Sequence, residues 1–163
     1  MILGEHVHDG NRYDIQLKGA GRTPYSGSGD GKATVSSMLR EYLYSVAMHN
    51  LGIKTSRSLA VVETDETVKR RQTEPGAILV RVMNSHIRYG TFQYVASRAP
   101  DELEAFTEYV IDRHYPQLTD SDAKYVEFFD AVMRASVAMV VDWLRVGFIH
   151  GVMNTDNMSI DGE

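Results

Sequence analysis

No cysteine occurs among the 163 residues. Disulfide scaffolds, zinc-thiolate sites, iron–sulfur clusters and thiol nucleophiles are thereby excluded, and the chain suits a reducing compartment such as a bacterial cytoplasm. Positive charge is not in excess either: 17 Lys and Arg against 22 Asp and Glu give a formal charge of −5. A mildly acidic chain gives no global reason to bind nucleic acid or an anionic membrane, so a polyanion would need a local basic pocket. No apolar run approaches the ~20 residues of a membrane span; the longest are Val137–Val141 and Ala77–Val80. The first residues, Met1 to His6, have neither a basic segment nor an apolar stretch, which predicts no signal peptide. There is no internal repeat and no low-complexity tract.

What remains is an ordinary globular composition, 43% apolar and 24% charged, in a chain long enough to bury a core. Residues 2–8 and 12–18 predict a β-hairpin: Asp9-Gly10-Asn11 is a turn signal, and Tyr13, Ile15 and Leu17 alternate with polar neighbours. The loop from Lys18 to Gly31 holds five of the 13 glycines. Such density marks either a flexible surface loop or a backbone that approaches an anion. Val35, Met38, Leu39, Tyr42, Leu43, Val46, Ala47 and Leu51 predict a helix over 32–51, with Asp30 as N-cap and Gly52 as stop. Residues 58–64 and 77–83 predict strands, separated by a polar turn and short strand that Glu74-Pro75-Gly76 closes. Residues 84–99 show no clear period. Further helices are expected over 101–114, with Leu103, Phe106, Tyr109 and Val110 on one face, and over 121–146. In the longer one Val126, Phe129, Val132, Met133, Val137, Val140, Val141 and Leu144 form a broad apolar stripe. Asp161-Gly162 is a hairpin signal with no second strand after it, and Ile2-Leu3 starts in mid-strand. Both suggest a piece of a longer protein.

The order of parts is informative. A strand ends in Lys18, the next helix carries Glu41, and a long helix precedes the polar run His150-Gly151-Val152-Met153-Asn154-Thr155-Asp156-Asn157-Met158. This resembles the protein-kinase plan, in which a strand lysine meets nucleotide phosphates and a helix glutamate holds it. The His150 to Asn157 spacing fits the kinase loop, but Val152 stands where a kinase has its aspartate base.

Longer runs sharpen the likeness. Gln16-Leu17-Lys18-Gly19-Ala20-Gly21-Arg22-Thr23-Pro24-Tyr25-Ser26, Gly29-Asp30-Gly31, Glu74-Pro75-Gly76-Ala77, Ser85-His86-Ile87-Arg88-Tyr89-Gly90 and the 150–159 segment resemble the selenoprotein O family over essentially the whole chain. That family comprises kinase-fold protein adenylyltransferases. The resemblance implies an α+β, protein-kinase-like two-lobe fold, truncated at both ends. Residues 1–83 would supply a sheet-plus-helix lobe and 84–163 a partial helical lobe, with ATP between them in an inverted orientation. It implies transfer of AMP from ATP to Ser, Thr or Tyr hydroxyls of proteins, with Mg²⁺ or Mn²⁺ as metal. By motif match Lys18, Asp30, Gly31, Arg81 and Arg88 fall on ATP-contacting positions. Glu41 falls on the lysine-positioning glutamate, Asp156 on the proton acceptor and Asn157 on a metal ligand. The family's upstream glycine-rich segment and its second metal-binding aspartate lie outside these residues, so this stretch alone is expected to bind ATP weakly and to lack transferase activity.

Elementary chemistry agrees with those roles. Arg grips phosphate oxygens bidentately and Lys acts as a point charge. An Arg inside an apolar strand, as Arg81 is, demands a charged partner. Asp30 would repel phosphate, so it belongs beside metal, ribose or a basic side chain. Backbone N–H groups of Gly29 to Gly31 at a helix N-terminus would suit an anion.

Blander readings stand beside these. Glu41 beside Arg40 is also a surface helix pair, Arg81 a structural ion pair, Arg88 an exposed cation and 154–157 an Asx turn. The 18–31 loop is not a Walker A motif, since Ala33 follows Gly31-Lys32. His6 and His8 share a strand face without a third ligand. His49, His86 and His114 read as structural, His150 as orienting its loop, and the methionines and Phe128-Phe129 as core. Thr23, Tyr25 and Ser26 are candidate self-modification sites. Two other functions compete: a non-catalytic nucleotide-binding pseudokinase scaffold, and a kinase-like phosphotransferase.

Overall fold

The computed structural model describes residues 1–24, 26 and 28–163. Tyr25 lies outside them. The chain forms two compact units, Met1–Asn84 and Ser85–Glu163. The architecture is α+β, with an antiparallel sheet in the first unit and helices dominating the second.

In the first unit β1 (Ile2–His8) and β2 (Asn11–Lys18) form the expected hairpin around Asp9 and Gly10, both at positive φ. The short β3 (Ala33–Thr34) leads into α1 (Val35–Asn50), and β4 (Arg57–Lys69) turns into β5 (Thr73–Met83). β5 is the hub: it pairs antiparallel with β2 through residues 79–83, with β3 through 76–77 and with β4 along its length. Alternation along β5 puts Ala77, Leu79 and Arg81 on one face. Ala77 and Leu79 pack there with Met38 of α1 in the unit's core.

Three expectations are corrected here. The helix starts at Val35, not 32, and its cap is Thr34, not Asp30: Thr34 Oγ1 accepts from the Ser37 N–H while Ser37 Oγ accepts from the Thr34 N–H. Gly29 to Gly31 therefore precede β3 and are not at a helix N-terminus. Residues 65–76 are not a turn and short strand; β4 and β5 form one long hairpin with its turn at 70–72. Pro75 is tolerated because the register slips between Glu63 and Thr67, so that three β4 residues face Gly76. A β-carbon on Gly76 would lie 2.7 Å from Thr64 Oγ1 and 2.9 Å from the Glu66 carbonyl oxygen, which explains the glycine after the proline.

The buried face of α1 is also rotated from the expected stripe. Met38, Ser45 and Met48 are buried, whereas Leu39 and Leu43 are exposed. The 38, 45, 48 spacing puts Glu41 on the inward face. Ser45 Oγ on that face donates to Ser58 Oγ of β4 at 2.9 Å.

The second unit contains α2 (Tyr89–Arg98), a 3₁₀ turn (Pro100–Glu102), α3 (Leu103–His114), a second 3₁₀ turn (Pro116–Leu118) and α4 (Lys124–Arg145). Its core joins Val110, Ile111, Tyr115, Phe128 and Ile160, with Phe92 and Phe106 packed against it. On α3 the buried pair is Val110 and Ile111, while Tyr109 is about half exposed. The stripe expected on α4 points outward: Val126, Phe129, Met133, Val137, Val141 and Leu144 are all exposed, and Phe128 and Met139 are the buried residues. Periodicity defines an apolar face without saying what it faces. Phe128 is core as expected; Phe129, 71% exposed, is not. No helix among the described residues is long and apolar enough to cross a membrane.

Candidate functional site: a glutamate-bridged cation pair and a polar loop

In the first unit the sheet and α1 converge on one carboxylate. Cross-strand pairing sets Gln16 opposite Arg81 and Lys18 opposite Leu79, so Gln16, Lys18 and Arg81 share the face that α1 covers. Lys18 Nζ donates to Glu41 Oε2 at 2.5 Å. Arg81 Nε donates to Glu41 Oε1 at 2.6 Å, and Arg81 Nη2 pairs with the same oxygen. Arg81 Nη1 reaches Gln16 Oε1 at 3.4 Å. The charged partner that Arg81 needed inside an apolar strand is thus Glu41, and Glu41 does not act as a surface partner of Arg40. Burial raises the Glu41 carboxyl pKa, and the Arg81 and Lys18 charges and hydrogen bonds outweigh it, so the net direction is down. The trio carries one net positive charge, and the Lys18 side chain is 42% exposed. Such a site can receive an anion.

The glycine-rich loop begins at the end of β2, one residue after Lys18. Its ends are drawn together by an Ala20–Lys32 bridge and by the Gly21 N–H donating to the Gly31 carbonyl at 3.1 Å. Gly31 has φ +67, and a β-carbon there would fall 2.0 Å from the Gly21 carbonyl oxygen. Any other residue would force the loop apart. Within the loop, Arg22 Nε donates to the Gly29 carbonyl, and Thr23 and Ser26 close a turn on each other. Asp30 has the basic neighbour its charge called for. Arg70, at the β4–β5 turn, donates from Nη1 and Nη2 to both Asp30 carboxylate oxygens at 2.7 and 2.8 Å, and from the same nitrogens to the Lys69 and Lys32 carbonyls. Asp30 Oδ1 also accepts from the Lys32 N–H. The hydrogen bond from Arg70, then that from Lys32, hold the Asp30 carboxyl below the usual carboxylate range.

In the second unit a different construction holds Arg88, Asp156 and Asn157. The stretch entering α2 pairs antiparallel with the end of the chain: Arg88 bridges Ser159, the Ile160 N–H donates to the Ile87 carbonyl and the Tyr89 N–H to the Met158 carbonyl. Met158, Ser159 and Ile160 are buried, and Tyr115 Oη donates to the Ile160 carbonyl at 2.7 Å. This anchor projects an exposed loop. Arg88 caps α2, its N–H donating to Thr91 Oγ1 at 3.1 Å. Asn157 Nδ2 donates to the Val152 carbonyl at 3.0 Å. That bond uses the amide nitrogen, not the carbonyl oxygen that suits Mg²⁺. His150 stacks on Trp143, centroids 5.4 Å apart, and its Nδ1 accepts from the Val152 N–H, an orienting role as expected. The Asn157 N–H does close a turn on the Asn154 carbonyl.

A family profile described as Protein adenylyltransferase SelO matches residues 2–163. The chain belongs to the SelO family. It is similar to the protein nucleotidyltransferase YdiU of Clostridium perfringens strain SM101, 54% identical across 100% of this chain and 34% of the relative. It is likewise similar to those of Nitrosococcus oceani, 53% identical over 98% and 33%, and Syntrophotalea carbinolica, 56% identical over 99% and 33%. The chain spans about a third of the length of these relatives.

Of the SelO positions named from the sequence, Lys18, Glu41 and Arg81 form one ion-paired group, with Asp30 and Gly31 in the loop that follows Lys18. Arg88, Asp156 and Asn157 belong to the second unit. Arg70 was missed. Its signal was chemical: Asp30 in a glycine-rich loop needed a cation, and the turn between two strands carries Arg70-Arg71. Among the described residues no group of three or more His, Asp or Glu side chains is gathered to hold a metal.

Proposed function

We propose that this chain carries the ATP-gripping and hydroxyl-activating parts of a Mg²⁺-dependent protein adenylyltransferase with a protein-kinase-like, two-lobe fold. The carrying observation is the Glu41 carboxylate shared between Lys18 and Arg81. A carboxylate so placed fixes two cations in a low-entropy array while leaving the group positive, which suits a polyphosphate better than free side chains would. Lys18, Arg81 and Arg88 bind ATP phosphates in this reading, and the Arg70-held Asp30–Gly31 turn supports the nucleotide.

Asp156 takes the proton from a Ser, Thr or Tyr hydroxyl of a protein substrate. The hydroxyl oxygen forms a bond to the α-phosphorus of ATP, the bond from that phosphorus to the bridging oxygen breaks, and pyrophosphate leaves. The donor chemistry fits a metal with a sparse protein shell: Asn157 would offer one neutral oxygen to Mg²⁺, an ion that prefers oxygen ligands and retains much of its water. Held there, the ion would supply charge neutralisation of the leaving pyrophosphate. The lack of cysteine agrees with a cytoplasmic setting, where ATP and protein hydroxyls meet.

The test uses a family-length chain carrying these 163 residues, incubated with ATP labelled at the α- or the γ-phosphate. Label is expected on protein from the α position alone, and Asp156→Ala is expected to lower it ~10²- to 10⁴-fold. Transfer only from the γ position would establish the phosphotransferase instead. No transfer with either label, alongside ATP binding by calorimetry, would favour the scaffold that Val152 suggests.

A further inference from the structure

The first turn of α2 lies against the loop bearing Asp156. The Gly90 N–H donates to the Thr155 carbonyl at 2.8 Å, and Thr155 Oγ1 donates to Gln93 Oε1 at 2.9 Å. A β-carbon on Gly90 would lie 2.5 Å from Asp156 Oδ1 and 3.2 Å from the Thr155 carbonyl oxygen. Gly90 has no positive φ, so backbone strain does not require glycine there. Alanine is the better helix former, by up to about 1 kcal/mol. A methyl here would require the exposed Asp156 carboxylate to move from its present position.

We propose that Gly90 and Gln93 are positioning residues for Asp156, the glycine by yielding the space its carboxylate fills and the glutamine by holding the hydroxyl of the preceding Thr155. This rests on Asp156 acting as the proton acceptor. Three contacts within one helical turn fix the 155–156 segment: a backbone hydrogen bond, a side-chain hydrogen bond and a van der Waals limit. A methyl at Gly90 pushes the carboxylate aside and leaves the side chains assigned to ATP, Lys18, Arg81 and Arg88, chemically unchanged, so ATP affinity stays while the proton acceptor is misplaced.

The experiment compares Gly90→Ala, Gln93→Ala, Gln93→Glu and Asp156→Ala in a family-length chain, measuring kcat and KM for ATP in AMP transfer together with the thermal unfolding midpoint. Gly90→Ala is expected to lower kcat about 10- to 100-fold with KM and the midpoint little changed. Gln93→Ala is expected to lower kcat less, and Gln93→Glu to restore it, because a carboxylate still accepts the Thr155 hydroxyl. On the Asp156→Ala background, Gly90→Ala should cost nothing more. Full kcat in Gly90→Ala, or an additive loss on that background, overturns the proposal while leaving the role of Asp156 standing. Full activity in Asp156→Ala overturns both. Should Gly90→Ala not fold, the Gln93 pair decides: equal loss in Gln93→Ala and Gln93→Glu sinks the idea.

Discussion

The two regions bearing the candidate residues are built on opposite principles. In the first unit three charged side chains from β2, α1 and β5 meet, and regular secondary structure brings them together. In the second, Asp156 and Asn157 sit on an exposed loop whose shape comes from backbone hydrogen bonds and from an absent side chain at Gly90. The first arrangement is electrostatic and coupled to folding. The second rests on hydrogen bonds between the start of α2 and a loop more than 60 residues further along the chain. Side chains can thus be positioned either by charges that hold one another or by hydrogen bonds between a loop and a neighbouring helix, and the two fail differently when mutated.

That contrast can be broken experimentally. Glu41→Ala leaves two cations facing each other under α1, and is expected to lower the unfolding free energy by about 2 kcal/mol, after discounting for the exposed end of Lys18. Urea unfolding measures it, and an effect near zero would remove the coupling. Next comes acid. The folded-state pKa of Glu41 is depressed below its ordinary 4.5, so its stabilisation is present above that value and is lost as pH falls through the lowered one. Glu41→Gln should flatten the acid limb of stability below about pH 4.5. A smaller effect is expected at the loop clamp. Arg70→Ala should speed hydrogen exchange at the Gly21 and Lys32 amides, and Arg70→Lys should not rescue it, since one ammonium cannot span both Asp30 oxygens and two carbonyls. Smallest is Asn157→Ala, an exposed position, expected to change stability by less than about 0.5 kcal/mol in the same urea assay.

Legibility in the sequence followed the same divide. The β1–β2 hairpin was readable because Asp9-Gly10 is a turn with a mechanism, and Arg81 was marked as needing a partner because a charge amid Ala77–Met83 is costly. The facing direction of helices was not readable. Eight apolar positions on α4 gave a sound period, yet six of them point outward, since hydrophobic pattern carries no knowledge of what packs where. Pro75 concealed the continuity of β5, because the bulge that accommodates it lies in β4, between Glu63 and Thr67. Asp30 looked like a helix cap until Thr34 and Ser37 proved to form the reciprocal pair. Arg70 and Gln93 act across 40 and 62 residues of chain, and no local pattern announces such partners.

The tight approach at Gly90 has a consequence for heredity. Any glycine codon becomes alanine, valine or an acidic residue by one base change at its second position, and each places atoms where an aspartate oxygen now rests. On the proposed role of Asp156, alanine there would give a well-folded polypeptide, invisible to the proteases that clear unravelled chains, and so abundant while disabled. A lineage carrying that change would keep making the protein without noticing from its amount that anything had been lost.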